Sequence, residues 1–234
     1  MQKTKYPIIV LLTAFFITSF AGTSYPWQDE THIAIAKAAG YKKWYNANGA
    51  DMAKLKAGDI EKLNHYVSNP RGTTVTAEMV FQQVKNYNQT SDSKGHLYGA
   101  IVASVRDYLR YKKEGKYGEY HLAFCAHYVG DLSQPLHNTL YDPYNRKYHK
   151  ITDGIINDEV LDNMDKIKIY PIKIESEKDL AKEIARIANL SIKKGYQIED
   201  EKRLLTKEEA YDQISHSASL FRAILRYVEK ADPR

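Results

Sequence analysis

An all-α fold, a single multi-helix domain, is predicted by three features of the 234-residue sequence. Apolar residues recur at helical spacing from end to end, no stretch alternates as a half-buried strand would, and no Pro/Ser-rich linker divides the chain. With 43% hydrophobic and 27% charged residues, the composition is that of one globular domain with enough chain to bury a sizeable core.

The first element, residues 1–26, reads as a secretory signal peptide. Lys3 and Lys5 precede the apolar run "PIIVLLTAFFITSFA", and the small residues "GTS" follow before any acidic residue. That run is shorter than the roughly 20 residues that span a bilayer as a helix. The small-residue rule favours cleavage after Ser24, within a window of 24–26, which implies a secreted or periplasmic protein whose domain occupies 27–234. Removal of the peptide takes away two lysines and no acid, so the formal charge falls from +5 to +3, too little by itself to imply a nucleic-acid partner. Cys125 is the lone cysteine, so no intramolecular disulfide supports the fold, and stability rests on packing or on bound metal.

The helices follow in order. "DETHIAIAKAAG" has helical apolar spacing, and Gly40 is placed to stop it. A short helix is expected around "ADMAKLKAG", then one over "TAEMVFQQVKNY". In "LYGAIVASVRDYLRYKKEG", Leu97, Ile101, Val105 and Tyr108 share one face and Gly115 closes the helix. Toward the C-terminus, Ser176 with Asp179 and Thr206 with Glu209 have capping-box spacing, the second ahead of a helix carrying Ile214, Phe221, Leu225 and Val228. Stretches such as "YNANG" and "HYVSNPRGTT" read as loops.

Chemistry concentrates in "HYVGDLSQPLH". His127 and Asp131 are four residues apart, so on a helix they lie on one face and can reach a common ion. Pro135 ends or bends that helix and lets His137 approach from another angle. His149 and Asp153 repeat the four-residue spacing on the expected next helix, and with His137 they make three ligands. Three protein ligands with one open position is the usual form of a catalytic zinc site, whereas structural sites are closed and usually rich in cysteine. Upstream, Asp59, His65 and His32 are further candidates. His96, His121 and His216 lack a spaced acidic or histidine partner and read as ordinary core or surface residues.

On these residues the chain resembles the superfamily that unites bacterial zinc-dependent phospholipase C with the single-strand-specific zinc nucleases. The resemblance runs from Trp27 to about Asp158 and is carried mainly by "HYVGDLSQPLH". It implies about three zinc ions in a cleft of the helical domain, one of them bound by the amino group and carbonyl oxygen of an N-terminal tryptophan. Carried over, Trp27, His32 and Asp131 would hold one ion. Asp59, His65, His127 and the same Asp131 would hold its neighbour, and His137, His149 and Asp153 the third. The segment between Asp59 and His65 is shorter than the corresponding family loop, and Glu61 competes with Asp59 as the ligand. Lys62 matches a basic position that contacts phosphate in some family nucleases, so Asp59 and Lys62 are the expected catalytic pair.

The implied activity is hydrolysis of phosphate esters. A metal pair sharing one carboxylate lowers the pKa of a bridging water and holds hydroxide in line with phosphorus, and the third ion stabilises the leaving oxygen. Phospholipid headgroup hydrolysis is the leading expectation, with transient membrane-surface contact and no protein partner. Single-stranded nucleic acid is the alternative substrate. A different class, an exported protein that only binds zinc, stays open until turnover is measured.

Overall fold

The apolar periodicity of the sequence resolves into nine α-helices and no strand among residues 27–231, the part of the chain that the computed structural model describes. The helices are α1 (Asp29–Ala39), α2 (Gly49–Ala57), α3 (Asp59–Lys62), α4 (Ala77–Val84), α5 (Leu97–Lys113), α6 (Glu119–Ser133), α7 (Pro143–Asp153), α8 (Glu177–Asp200) and α9 (Lys207–Lys230). Short 3₁₀ turns lie at Trp44–Asn46, Pro135–His137, Val160–Asp162 and Met164–Lys166. The expected signal peptide, residues 1–26, lies outside the described residues. No described helix is long and apolar enough to cross a membrane.

Helix α6 sits at the centre, because its sequence is apolar nearly all the way round and such a helix must be covered on every side. It packs against α1, α2, α5, α8 and α9. Every residue from Leu122 to Ser133 except Phe124 is buried, Cys125 among them as a free thiol. Amphipathic α5, α8 and α9 turn Ile101, Ile184, Phe221 and Ile224 onto it, forming the larger core. A second apolar cluster joins Trp27, Ile35, Ile156, Val160 and Ile214. Neighbouring Ile35 and Ala36 belong to different clusters, so α1 ties the two together.

The helix ends follow local chemistry. Gly40 closes α1 at φ +86°, a left-handed conformation that glycine adopts without a Cβ clash. Thr206 and Glu209 form a reciprocal capping box. Ser176 caps α8 through the Asp179 N–H at 3.2 Å, and the Asp179 carboxylate in turn accepts from the Ser176 hydroxyl at 2.8 Å and from the Glu175 N–H at 3.3 Å. Asp142 accepts from the Asn145 N–H at 2.8 Å and starts α7, with Pro143 at its first position. Helix α8 then presses on the 135–137 turn, where a Cβ at Gly195 would lie 2.9 Å from the Pro135 carbonyl oxygen. That contact fixes the segment carrying His137.

Candidate metal centre

Three groups of metal-capable side chains converge where α6 meets α1 and α2 and where α7 meets the 135–137 turn: His32, His127 and Asp131; Asp51, His65 and His127; and His137, His149 and Asp153. Within each group the donor atoms lie within 4.8 Å of one another. Three buried His/Asp groups could therefore hold metal ions.

Asp131 is the hub. Its Oδ1 lies 3.5 Å from His32 Nε2 and 3.5 Å from His137 Nδ1, while its Oδ2 lies 2.9 Å from His65 Nδ1 and 3.5 Å from His127 Nε2. One carboxylate thus faces histidines from four segments. The i,i+4 geometry of α6 brings His127 beside it, and the absence of a side chain at Gly130 lets α1 bring His32 against the helix. The His32 and His127 rings stack at 3.7 Å with an interplanar angle of 12°.

The third group uses the Pro135 turn as the sequence suggests. His137 leaves α6 through a 3₁₀ turn and meets His149 of α7, Nε2 to Nε2 at 3.1 Å. Asp153 Oδ2 lies 3.4 Å from His149 Nε2, and Gln134 Nε2 donates to Asp153 Oδ1. Trp27 is fully buried, and the N–H of the next residue, Gln28, donates to the Asp153 carbonyl oxygen at 3.3 Å. The expected N-terminal tryptophan therefore runs past the end of α7.

The arrangement fits cations. His32 Nδ1 and Nε2, His127 Nε2, Asp51 Oδ2, Asp131 Oδ1 and Asp153 Oδ2 are buried without a hydrogen-bond partner, a costly state that ion coordination relieves. Burial pushes the Asp131 and Asp153 carboxyls well above the usual carboxylate range, with the Asp51 charge adding to both shifts. Burial lowers the histidines. His65 falls to about 3 and His149 to about 4, while His32, His127 and His137 fall well below their usual value. The imidazoles are thus neutral near pH 7, the form that binds metal.

Two expected site residues stand apart. Asp59 and Lys62, at the two ends of α3, are both exposed and enter none of the groups. Asp51 on α2 occupies the place expected of Asp59, 3.8 Å from His65 Nδ1 and 3.6 Å from His127 Nε2. Only four residues long, α3 turns Glu61 inward and leaves Asp59 on the solvent side. Glu61, the other candidate, lies behind His65: its Oε1 is 3.3 Å from His65 Nε2 and accepts from the Tyr128 hydroxyl at 2.5 Å. Burial raises the Glu61 carboxyl to about 7. Lys54, one turn after Asp51, is the cation at the centre, with Nζ 2.6 Å from Asp51 Oδ1 and its charge felt at His65, His137, His149, Asp131 and Asp153.

The residues missed in the sequence are thus Asp51 and Lys54. Neither has a histidine at helical spacing, and the Asp-x-x-Lys pair within "ADMAKLKAG" is the local signal that marks them. Among the described residues, His96, His121 and His216 join no such group.

Compared with protein-family models, curated proteins and solved structures, the chain gives no match.

Proposed function

We propose that the three groups hold a trinuclear zinc centre that hydrolyses phosphodiesters, with phospholipids as the preferred substrates. The observation that carries this reading is the Asp131 carboxylate, which faces the nitrogens of His32, His65 and His127 and so joins the first two groups. Buried neutral imidazoles with carboxylates are the donors of a catalytic zinc site, and the absence of cysteine from the groups argues against a structural one. Bound there, zinc would polarise the phosphoryl group and furnish a nucleophile at neutral pH.

The chain's own residues supply binding and orientation. Lys54 is placed to take a phosphoryl oxygen while its partner Asp51 serves the metal pair. His149, 15% exposed beside almost fully covered neighbours, marks the mouth through which a substrate enters. Helix α2 favours a lipid: its inner face carries Asp51, while Met52 and Leu55 on its outer face are 65% and 53% exposed, with exposed Tyr45 and Tyr117 sharing a groove with Met52. Exposed apolar surface of this kind marks a binding face, here at the edge of the site. An export signal in residues 1–26 would bring that face to lipid outside the cytoplasm.

One observation favours single-stranded nucleic acid as a second reading. The Tyr141 ring, 59% exposed, lies 6.3 Å from the His149 ring with the Arg146 guanidinium 5.9 Å above it, a platform on which a base can stack. The test is zinc-reconstituted protein assayed against phosphatidylcholine vesicles, single-stranded DNA, RNA and an aryl phosphodiester. Chelator-sensitive turnover of the vesicles above the nucleic acids is expected. Turnover of nucleic acid alone would shift the assignment to a nuclease, and no turnover of any of them would leave a zinc-binding protein.

A further inference from the structure

The cluster histidines are not all oriented alike. His127, His137 and His149 each have Nδ1 tied to a carbonyl oxygen, that of Ala47 at 2.9 Å, His65 at 2.8 Å and the Asn145 side chain at 2.7 Å. In each, Nδ1–H donates and the lone pair is left on Nε2, which faces the donor groups. Such outer partners set both the tautomer and the ring angle of metal-binding histidines. His65 is reversed. Its Nδ1 faces inward, 2.9 Å from Asp131 Oδ2 and 3.8 Å from Asp51 Oδ1, so Nε2 points away.

What Nε2 meets on that side is Glu61. The carboxylate is buried, one helical turn before His65, with Oε1 3.3 Å from Nε2. Two donors hold it there, the Tyr128 hydroxyl on Oε1 at 2.5 Å and the Asn64 amide on Oε2 at 3.2 Å, and Asn64 is itself anchored by the Asn88 N–H at 3.3 Å. Nε2 has no aligned hydrogen-bond partner among the described residues, and a small rotation of the ring turns the 3.3 Å contact into one.

We propose that Glu61 is the positioning residue that holds His65 as its Nε2–H tautomer and so leaves Nδ1 to the metal pair. The inference rests on the metal-centre reading. Glu61 performs for His65 what backbone and amide carbonyls perform for His127, His137 and His149, and its carboxylate gives the stronger acceptor. Because the His65 carbonyl in turn orients His137, loss of this hold also loosens one link to the third group.

The experiment has two readouts. Long-range proton–nitrogen correlation spectra of metal-free protein labelled at histidine nitrogen give the His65 tautomer, and competition with a chromogenic chelator gives the affinity of each zinc ion. Wild type and Glu61→Gln, which keeps an acceptor oxygen, should show Nε2–H. Glu61→Ala and Glu61→Leu, the second of which fills the space without an acceptor, should show mixed tautomers. These two variants should bind one ion about 10–100-fold more weakly, the usual cost of losing an outer partner, and Glu61→Gln should recover most of the loss. An Nδ1–H tautomer in wild type, unchanged affinities in the Ala and Leu variants, or a Gln variant as damaged as Ala would each overturn the proposal, the last by making Glu61 a direct ligand. A wild-type chain that binds no zinc would remove the metal reading, and the tautomer alone would then decide whether Glu61 orients His65.

Discussion

Gly130 is the point in "HYVGDLSQPLH" where a single methyl group separates packing from the proposed metal binding. A Cβ added there would lie 2.7 Å from His32 Cε1, closer still to Nδ1, and 3.4 Å from Ile35 Cδ1. Carbon atoms pack at about 3.5 Å or more, so the His32 ring must retreat by roughly 0.8 Å. His32 is fully buried and stacked on His127, which leaves little room for the move. Overpacking of this size costs about 1–3 kcal/mol, and replacing glycine by alanine inside a helix returns about 1. The net cost is therefore about 0–2 kcal/mol, a fall in Tm of no more than about 8 °C for a chain of this length. Metal coordination is far less tolerant, because ligand distances hold to within about 0.2 Å. Gly130→Ala should fold, lose the ion served by His32 and keep the others. Scanning fluorimetry with metal analysis by mass spectrometry reads both effects. A folded variant with wild-type zinc content and affinity would refute the close approach of α1 and α6 as the reason for glycine here.

Three further outcomes follow from the same geometry. Asp51→Asn should cost an ion and lower phosphodiester turnover by more than the ~10–100-fold of an outer-shell change, whereas Asp59→Asn should behave as wild type; the reverse pattern would reinstate Asp59. Asp131→Asn should deplete two ions together and Asp153→Asn only the third, so equal metal content in the two variants would argue against the hub. Burial raises the Asp131 and Asp153 carboxyls, so they bind protons more tightly in the metal-free protein than ordinary carboxylates do, while burial lowers the histidines. Zinc binding should therefore release protons, in larger number as the pH falls, measured by calorimetry in buffers of different ionisation enthalpy; proton release of zero at every pH would contradict the raised carboxyls.

The helical class and the third group were legible because their signals are local. His149 and Asp153 sit four residues apart on one helix, and Pro135 ends α6 so that His137 can meet them. His127 and Asp131 were readable for the same reason. Asp51 was not, since its partners His65 and His127 come from other segments and no spacing along the chain points to them. Asp59 shares a short acidic helix with Glu61, and only packing against Tyr128 and Asn64 decides which of the two faces inward. The central position of α6 is likewise a property of the assembled bundle, although its nearly all-round apolar sequence hints at it. The irregular stretch 154–175, with its two 3₁₀ turns, carries no helical or alternating period from which its path could be drawn.

Metal content after zinc reconstitution is the most direct measurement, because every proposed role rests on the three His/Asp groups acting as ion sites. Native mass spectrometry of the processed chain should find two to three bound zinc ions, about one for each group, with a chelator removing them and lowering the Tm. Less than one equivalent of zinc per chain, in protein whose Tm is unaffected by the chelator, would contradict the trinuclear centre.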